Sequence, residues 1–243
     1  MAMDYAIDKT SEHATTSSLL KAVGAEPEAC KAVWYGFPQA EFIVPEHFDD
    51  QLKVTASSLR VFSEADCMAS ALLEIVDELR RSSECTCTFG HEGAFQLLAI
   101  LGDACQKKGK PADVALVREL ADAAAAYAIC DEGRAMGRAV LQALELFGSE
   151  ITAHFEKRQC PTGGCAAFKT VHILVSRCTG CGLCLKACED GAIMGKPRFV
   201  HVVDQGKGTQ CGRCLEACPE QAVVLAGAKK PKTPPRPIPV KRK

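Results

Sequence analysis

The spacing of apolar residues divides the chain into a helical middle and strand-like flanks. Between residues 63 and 157, apolar residues recur at intervals of three and four, as they do in amphipathic helices. Gly109 and Pro111 interrupt the pattern, which therefore predicts four helices. The first begins near Ser63, and the others cover roughly 91–107, 112–129 and 134–157. Short connections between four helices favour an up-and-down bundle.

The flanking segments lack this helical period. Residues 1–25 are polar and weakly patterned, which predicts a mobile arm. Residues 30–62 hold short apolar runs among turn residues, which predict irregular structure with one or two strands. Residues 158–227 are rich in Cys and Gly and contain short strand-like runs. Residues 228–243 hold seven basic residues, five prolines and no acid, a composition that predicts an extended, disordered tail.

The charge, the length of the apolar runs and the cysteine content limit the classes of protein to which this chain can belong. With 29 Lys and Arg against 30 Asp and Glu, the net charge of -1 gives no global reason to expect nucleic acid. No apolar run approaches the ~20 residues of a membrane span, and the N-terminus lacks the pattern of a secretory signal. These features predict a cytoplasmic protein. Nine of the 15 cysteines lie between Cys160 and Cys218, and in a reducing compartment such clustering indicates metal ligation.

Seven cysteines form an internal repeat. The first four are spaced C-x2-C-x2-C-x3-C. The spacing of the second, third and fourth recurs thirty residues later in the remaining three cysteines, and Pro219 follows the last of them. This resembles bacterial two-cluster ferredoxins, in which each half gives three cysteines to one cluster and its fourth to the other. The pattern assigns one [4Fe-4S] cluster to Cys178, Cys181, Cys184 and Cys218. It assigns the second cluster to Cys188, Cys211 and Cys214.

The second half departs from the ferredoxin pattern at its fourth ligand, because position 208 is Gly. The second cluster is then a [3Fe-4S] cluster, has a ligand other than cysteine, or is absent. Asp204, His201 or a cysteine from outside the motif are conceivable substitutes. Glu189 also stands where ferredoxins usually have proline, and its charge would lower the reduction potential if it lay near the cluster.

A second set of ligand residues precedes the ferredoxin motif. His154, Cys160 and Cys165 are spaced H-x5-C-x4-C at the end of the fourth predicted helix. In an up-and-down bundle the first helix begins at the end where the last helix finishes, so Cys67 can join them. Cys3His is the composition of a structural zinc site. The alternative is that Cys67 is a buried apolar residue and His154 is solvated.

A third group lies at the opposite end of the predicted bundle. It comprises Cys85, Cys87 and Cys130. The spacing C-x-C suits a four-iron cluster poorly, so a vestigial site or a simple thiol group is favoured. Cys30 and Cys105 are expected to be structural, since Cys105 falls on the apolar face of its helix.

The order of these parts resembles the C-terminal portion of the flavoprotein subunit of NADH:quinone oxidoreductase. It is most similar to the longer subunit of NADH-linked, electron-bifurcating hydrogenases, which implies anaerobic metabolism. The matching stretches are YGFPQAEFIVPEHF, SEADCMASALLEIVDEL, SSECTCTFGHEG, HFEKRQCPTGGC and the two ferredoxin motifs. The resemblance implies a ubiquitin-like β domain, a four-helix cluster-binding bundle, a Cys-rich bridge and a two-cluster ferredoxin module. It also implies zinc at Cys67, His154, Cys160 and Cys165.

Two departures from the family limit what the resemblance implies. The bundle cluster of the family uses S-C-x2-C-x2-C-x-E-G and a later Cys. The matching positions here are Glu84, Cys87, Gly90 and Cys130. Two ligands are missing, so we expect this cluster to be lost unless Cys85 and His91 replace them. The flavin and NADH-binding domain is also absent from the sequence, and no G-x-G-x-x-G element stands in its place.

The predicted fold class is α+β, a four-helix bundle followed by a bacterial two-cluster ferredoxin-like βαββαβ module. The predicted segments are 1–62 (arm and small irregular or β segment), 63–157 (bundle), 158–227 (Cys-rich bridge and ferredoxin-like domain) and 228–243 (tail).

The predicted function is an iron–sulfur electron-transfer subunit of a multisubunit oxidoreductase, without FMN or an NADH site of its own. It would relay single electrons between flavoprotein or iron–sulfur partner subunits in a hetero-oligomer. No nucleophile–base pair indicates bond chemistry, no membrane span is predicted, and only the basic tail favours nucleic acid. The alternative is a metal-stabilised scaffold or assembly subunit with vestigial clusters.

Overall fold

The computed structural model describes residues 2–7, 14–83 and 87–240. The expectations for Glu84 and Cys85 fall outside these described residues. The chain forms two compact units, Met1–Ala167 and Phe168–Lys243. The fold is α+β, as predicted from the sequence.

The larger unit begins with a four-stranded antiparallel sheet in the order β1-β4-β2-β3. Its strands are β1 (Met3–Ala6), β2 (Cys30–Tyr35), β3 (Glu41–Ile43) and β4 (Ser58–Ser63). Helix α1 (Thr16–Ala22) packs on this sheet through Leu19 and Leu20. Tyr35 is buried beneath it and donates a hydrogen bond to the hydroxyl of Thr16 at 3.1 Å.

The prediction of a mobile arm over 1–25 was wrong for its described residues, and residues 30–62 hold three strands instead of the one or two predicted. The structure places β1 and α1 within the sheet domain. The sequence signal was weak because α1 has seven residues and β1 is a largely exposed edge strand. Their order depends on contacts with β2 and β4, which are distant along the chain.

Four consecutive helices follow the sheet. They are α2 (Met68–Ser82), α3 (Gly93–Cys105), α4 (Asp113–Tyr127) and α5 (Asp131–Leu146), and a π-helical turn, Thr88–Glu92, leads into α3. Helices α2 and α4 each pack against both α3 and α5, as in a closed bundle. Gly137 brings α4 and α5 together, because a Cβ there would lie 2.5 Å from the carbonyl oxygen of Ala121. Within the described ranges, no helix is long and apolar enough to cross a membrane.

The fourth predicted helix, 134–157, is two helices. Helix α5 ends at Leu146, and α6 spans Gly148–Glu156. Phe147 leaves the helical conformation, with φ -122° and ψ 21°, and its ring packs edge-on to Phe42 of β3 at 5.7 Å. Gly148 follows, and glycine weakens a helix at this point. The contact with the sheet therefore outweighs the helical period of the sequence.

The smaller unit follows the predicted β-α-β-β-α-β order, with one additional strand in the middle. Its elements are β5 (Thr170–Ile173), α7 (Leu183–Ala187), β6 (Ile193–Met194), β7 (Phe199–Val200), β8 (Val202–Val203), α8 (Arg213–Glu216) and β9 (Val223–Ala226). Strand β5 pairs with β9, and β6 pairs with β8. Gly182 and Gly212, thirty residues apart, precede α7 and α8 with left-handed φ of 82° and 84°. Glycine suits both turns because other residues are strained there.

The tail is extended but not separate from this unit, so the prediction of a disordered tail was wrong for its described part. Strand β10 (Ile238–Pro239) pairs with β7, and the amide of Val240 donates to the carbonyl of Arg198 at 3.0 Å. Ile238 and Val240 pack against the apolar core of the smaller unit. The composition predicted that the tail cannot form a packed core of its own. Ile238 and Val240 pack instead against the core formed by the residues that precede the tail.

Candidate metal centres

Four buried ligand residues converge in the larger unit. They are Cys67, His154, Cys160 and Cys165, and their ligand atoms all lie within 4.8 Å of one another. The sulfur of Cys67 is 3.3 Å from Nε2 of His154 and 3.5 Å from the sulfur of Cys165. Zn–S bonds of about 2.3 Å arranged as a tetrahedron give sulfur–sulfur edges of about 3.8 Å. The site therefore has the size expected for one tetrahedral ion.

The ligands come from three different parts of the unit. Cys67 immediately precedes α2, His154 lies in the last turn of α6, and the other two cysteines lie in the loop that follows α6. Gly164 lets that loop pass against the start of α2, because a Cβ at Gly164 would be 3.0 Å from the Cβ of Cys67. The topological argument that added Cys67 to the set agrees with this geometry.

A network behind the ligands holds them in position. Nδ1 of His154 donates to the carbonyl of Glu150 at 2.9 Å, which directs Nε2 towards the thiols. The carboxylate of Glu150 accepts from the amide of Met68 at 2.7 Å and pairs with the ammonium of Lys31. Lys31 also donates to the carbonyl of Asp66 at 3.3 Å. Helix α6 is thereby tied to the start of α2 beside the first cysteine ligand.

The ligand groups perturb each other's pKa values. Hydrogen bonds with Cys165 and Cys67 lower the pKa of Cys160. Hydrogen bonds with Cys160 and Cys165, together with burial, raise the pKa of Cys67. Burial opposes the charged imidazolium of His154, but hydrogen bonds with Cys160 and Cys67 outweigh it and raise the pKa of His154 to about 10. A thiolate beside an imidazolium is a pairing that a bound metal cation would replace.

Sequence reasoning did not associate Cys105 with this site. Cys105 ends α3 and is buried, and its hydrogen bond with Cys165 is the largest cause that raises the pKa of Cys165. No spacing signal connects it to the other cysteines, because only the packing of α3 brings it near.

Two half-buried thiols meet at the bundle positions where the family binds a cluster. The sulfurs of Cys87 and Cys130 are 3.7 Å apart. A Cβ at Gly90 would lie 2.7 Å from the sulfur of Cys130 and 2.8 Å from that of Cys87. The family motif has a cysteine at the position of Gly90. Here the two sulfurs fill the space that a side chain at Gly90 would need.

The smaller unit brings the first ferredoxin cysteines together. All four cysteines assigned to the first cluster line a cavity there, together with several apolar residues. The four cysteines are Cys178, Cys181, Cys184 and Cys218. Burial and the charges of the other three raise the pKa of Cys184 to about 11. We call this group the first cage.

The second cage consists of Cys188, Cys211 and Cys214. Burial, followed by the charges of Cys188 and Cys211, raises the pKa of Cys214. The backbone supports both cages in the same way. The amide of Ala192 donates to the sulfur of Cys188, and the amide of Ala222 donates to that of Cys218, both at 3.3 Å.

The two suggested side-chain substitutes for the missing ligand make other contacts. His201 is buried beside the first cage, with Nδ1 3.9 Å from the sulfur of Cys178. Gly195 makes room for its ring, because a Cβ there would lie 1.9 Å from it. Asp204 accepts from the amide of Gly206 at 3.0 Å and so closes its own turn. The ion pair of Glu189 with Arg213 likewise offsets the negative charge that the sequence placed near the cluster.

Comparisons with known proteins agree with this geometry. Residues 70–154 match the NADH-ubiquinone oxidoreductase-F iron-sulfur binding region, and residues 177–222 match the 4Fe-4S dicluster domain. The chain is 31% identical over 141 residues to the NADP-reducing hydrogenase subunit HndC of Solidesulfovibrio fructosivorans. That match covers 58% of this chain and 29% of HndC, so the chain spans less than a third of that relative.

A solved structure shares the fold. It is an NAD+-reducing [NiFe]-hydrogenase in the H2-reduced state, with a TM-score of 0.52 and 16% identity over 60% of this chain and 26% of that chain. The resemblance predicted from the motifs is confirmed. The chain carries a match to the iron–sulfur binding region of the F subunit of NADH-ubiquinone oxidoreductases, followed by a match to the 4Fe-4S dicluster domain.

Proposed function

We propose that this chain is an iron–sulfur electron-transfer subunit of a multisubunit oxidoreductase. It relays single electrons between flavoprotein or iron–sulfur partner subunits and uses no flavin or NADH site of its own. The observation that carries the proposal is the cavity lined by the four cysteines of the first cage, within the stretch that matches the dicluster domain. A reducing compartment such as the cytoplasm suits it, because these thiols must remain reduced to bind metal.

The chain's own residues bind and shield the redox groups. The first cage would hold a [4Fe-4S] cluster, which supplies one-electron chemistry when bound. Ile173, Ala222 and Val223 line that cage and limit the access of water. Helices α7 and α8 pack together, and Cys218 from the second motif lines the first cage. The two cages therefore lie side by side, which suits transfer between them.

We also propose that Cys67, His154, Cys160 and Cys165 bind one zinc ion. Their spacing fits a tetrahedron, and Cys3His is a set that zinc prefers. Zinc has no redox chemistry, so its role here is structural. It joins the start of α2, the end of α6 and the loop that follows.

A metal-stabilised scaffold or assembly subunit is the second candidate. It is favoured by glycine at two family ligand positions, Gly90 and Gly208. The two functions differ in a measurable property, because a scaffold does not require its clusters to change oxidation state.

The test is made on protein purified without oxygen. Iron, sulfide and zinc are measured per chain, and electron paramagnetic resonance spectra are recorded before and after dithionite. We expect about seven or eight irons, one zinc and a reducible cluster signal. Cys181→Ser should remove iron from the first cage, and Cys160→Ser should remove zinc but leave the iron. Essentially no iron with several zincs, or clusters that no reductant changes, would favour the scaffold.

A further inference from the structure

Gly208 occupies the fourth ligand position of the second cage without a structural need for glycine. Its backbone is not left-handed. Among the described atoms, the nearest to a Cβ at this position would be the carbonyl oxygen of Asp204 at 3.6 Å, an ordinary contact distance. A side chain would therefore fit, and the fold does not account for the missing thiol.

The polar side chains around the second cage are engaged elsewhere. The carboxylate of Asp204 accepts a backbone hydrogen bond within its own turn at 3.0 Å. The hydroxyl of Thr209 donates to Asp190 at 2.5 Å, and Glu189 pairs with Arg213. Each of these side chains already has a protein partner, which would compete with its use as a fourth ligand.

This side of the cage faces water. Thr209, Gln210 and Cys211 are exposed, whereas two cysteines of the first cage, Cys178 and Cys184, are buried. Arg213 lies two positions after Cys211, but its guanidinium is paired with Glu189. A small ligand from solution would thus meet a solvent-exposed site on this side of the cage.

We propose that the second cage holds its cluster through three cysteines and leaves one iron corner open to a small thiolate from solution. This inference rests on the proposed function, since it requires a cluster in that cage. A thiolate has the donor atom of the missing cysteine, and iron–sulfur clusters favour soft thiolate ligands. The subunit would then carry a ligand-exchange site in addition to its electron-transfer sites.

The same open corner makes one iron removable by oxidation. One electron passes to ferricyanide, which becomes ferrocyanide, and the corner without a protein ligand releases Fe2+. The balance is [4Fe-4S]2+ to [3Fe-4S]+ plus Fe2+ plus one electron. A reductant and Fe2+ together reverse it. The three cysteines keep their bonds throughout, so the protein stays folded.

The experiment compares the reconstituted wild-type chain with Gly208→Cys and the matched control Gly208→Ala. Ferricyanide is added without oxygen, released Fe2+ is measured with a colorimetric chelator, and 2-mercaptoethanol is titrated into the dithionite-reduced protein under electron paramagnetic resonance. We expect wild type and Gly208→Ala to release about one iron per chain and to change spectrum with thiol. Gly208→Cys should release at least tenfold less iron, and its spectrum should not change when the thiol is added.

The outcomes separate this inference from the proposed function. If the wild-type chain keeps its iron and shows no spectral change with thiol, as we expect of Gly208→Cys, the corner is closed and the inference is wrong. If Cys214→Ser removes no iron while Cys181→Ser does, the second cage holds no cluster. The inference then fails, but the electron-transfer proposal survives on the first cage. If neither variant changes the iron content because none is bound, both fail.

Discussion

Nδ1 of His201 lies 3.9 Å from the sulfur of Cys178, and both residues are buried. Nε2 of the same ring has no hydrogen-bond partner among the described residues. A buried polar group without a partner destabilises a fold, so its retention points to a role. A hydrogen bond from the ring to the ligand sulfur would stabilise the more negative, reduced state of a cluster in the first cage.

We therefore expect His201→Leu to lower the reduction potential of the first cluster. A tenfold change in the reduction equilibrium corresponds to about 59 mV for one electron. The measurement is a redox titration followed by electron paramagnetic resonance. His172→Leu is the control, because His172 is buried in the same unit and its Nδ1 also has no described partner, but its Nε2 bonds to the hydroxyl of Thr170. An equal shift in both variants would show a general packing effect instead.

Glu150→Gln should weaken the hold of the Cys3His site on zinc without unfolding the bundle. The change removes the charge that pairs with Lys31 and weakens the bond to the amide of Met68, so the start of α2 is less firmly placed. Changes behind a metal ligand cost about 10–100-fold in affinity. The measurement is zinc transfer to a chromogenic chelator.

Glu156→Gln is the matched control for that experiment, because Glu156 lies exposed at the end of the same helix. Zinc loss at the same rate from both variants would contradict a supporting role for Glu150.

Cys87 and Cys130 should form a disulfide when the protein is treated with oxidised glutathione. Their sulfurs are 3.7 Å apart and both are half-buried, so a thiolate of one can displace glutathione from the other. The products are one intramolecular disulfide and two molecules of reduced glutathione. Peptide mapping by mass spectrometry should show the cross-link in a Cys85→Ser background and lose it in Cys130→Ser. A stable glutathione adduct on Cys87 would contradict the prediction.

Gly137→Ala should destabilise the bundle by about 1–3 kcal/mol. An added Cβ would lie 2.4 Å from the backbone nitrogen of Ala125, and backbone cannot give way as a side chain can. Gly102→Ala is the control, since a Cβ there meets nothing within 4 Å and alanine favours helices by about 0.5–1 kcal/mol. Urea unfolding at fixed zinc and iron loading should show opposite signs for the two variants.

Local spacing explains why the groups of candidate ligand residues could be predicted. Cys178, Cys181 and Cys184 lie within seven residues, so one turn brings them together whatever the rest of the chain does. The prediction that added Cys67 to the Cys3His set depended only on the two ends of a bundle being adjacent. The break at Phe147 was not visible, because it follows from a ring contact with Phe42 across a long stretch of chain.

The sequence by itself determined the candidate ligand residues, the internal repeat and the helical character of the middle segment, because these depend on neighbours close along the chain. Only the tertiary structure decided that β1 and α1 join the sheet and that the tail pairs with β7. It likewise placed His201 at the first cage and Cys105 beside Cys165. Each of these depends on packing between distant segments, for which short residue patterns carry no signal.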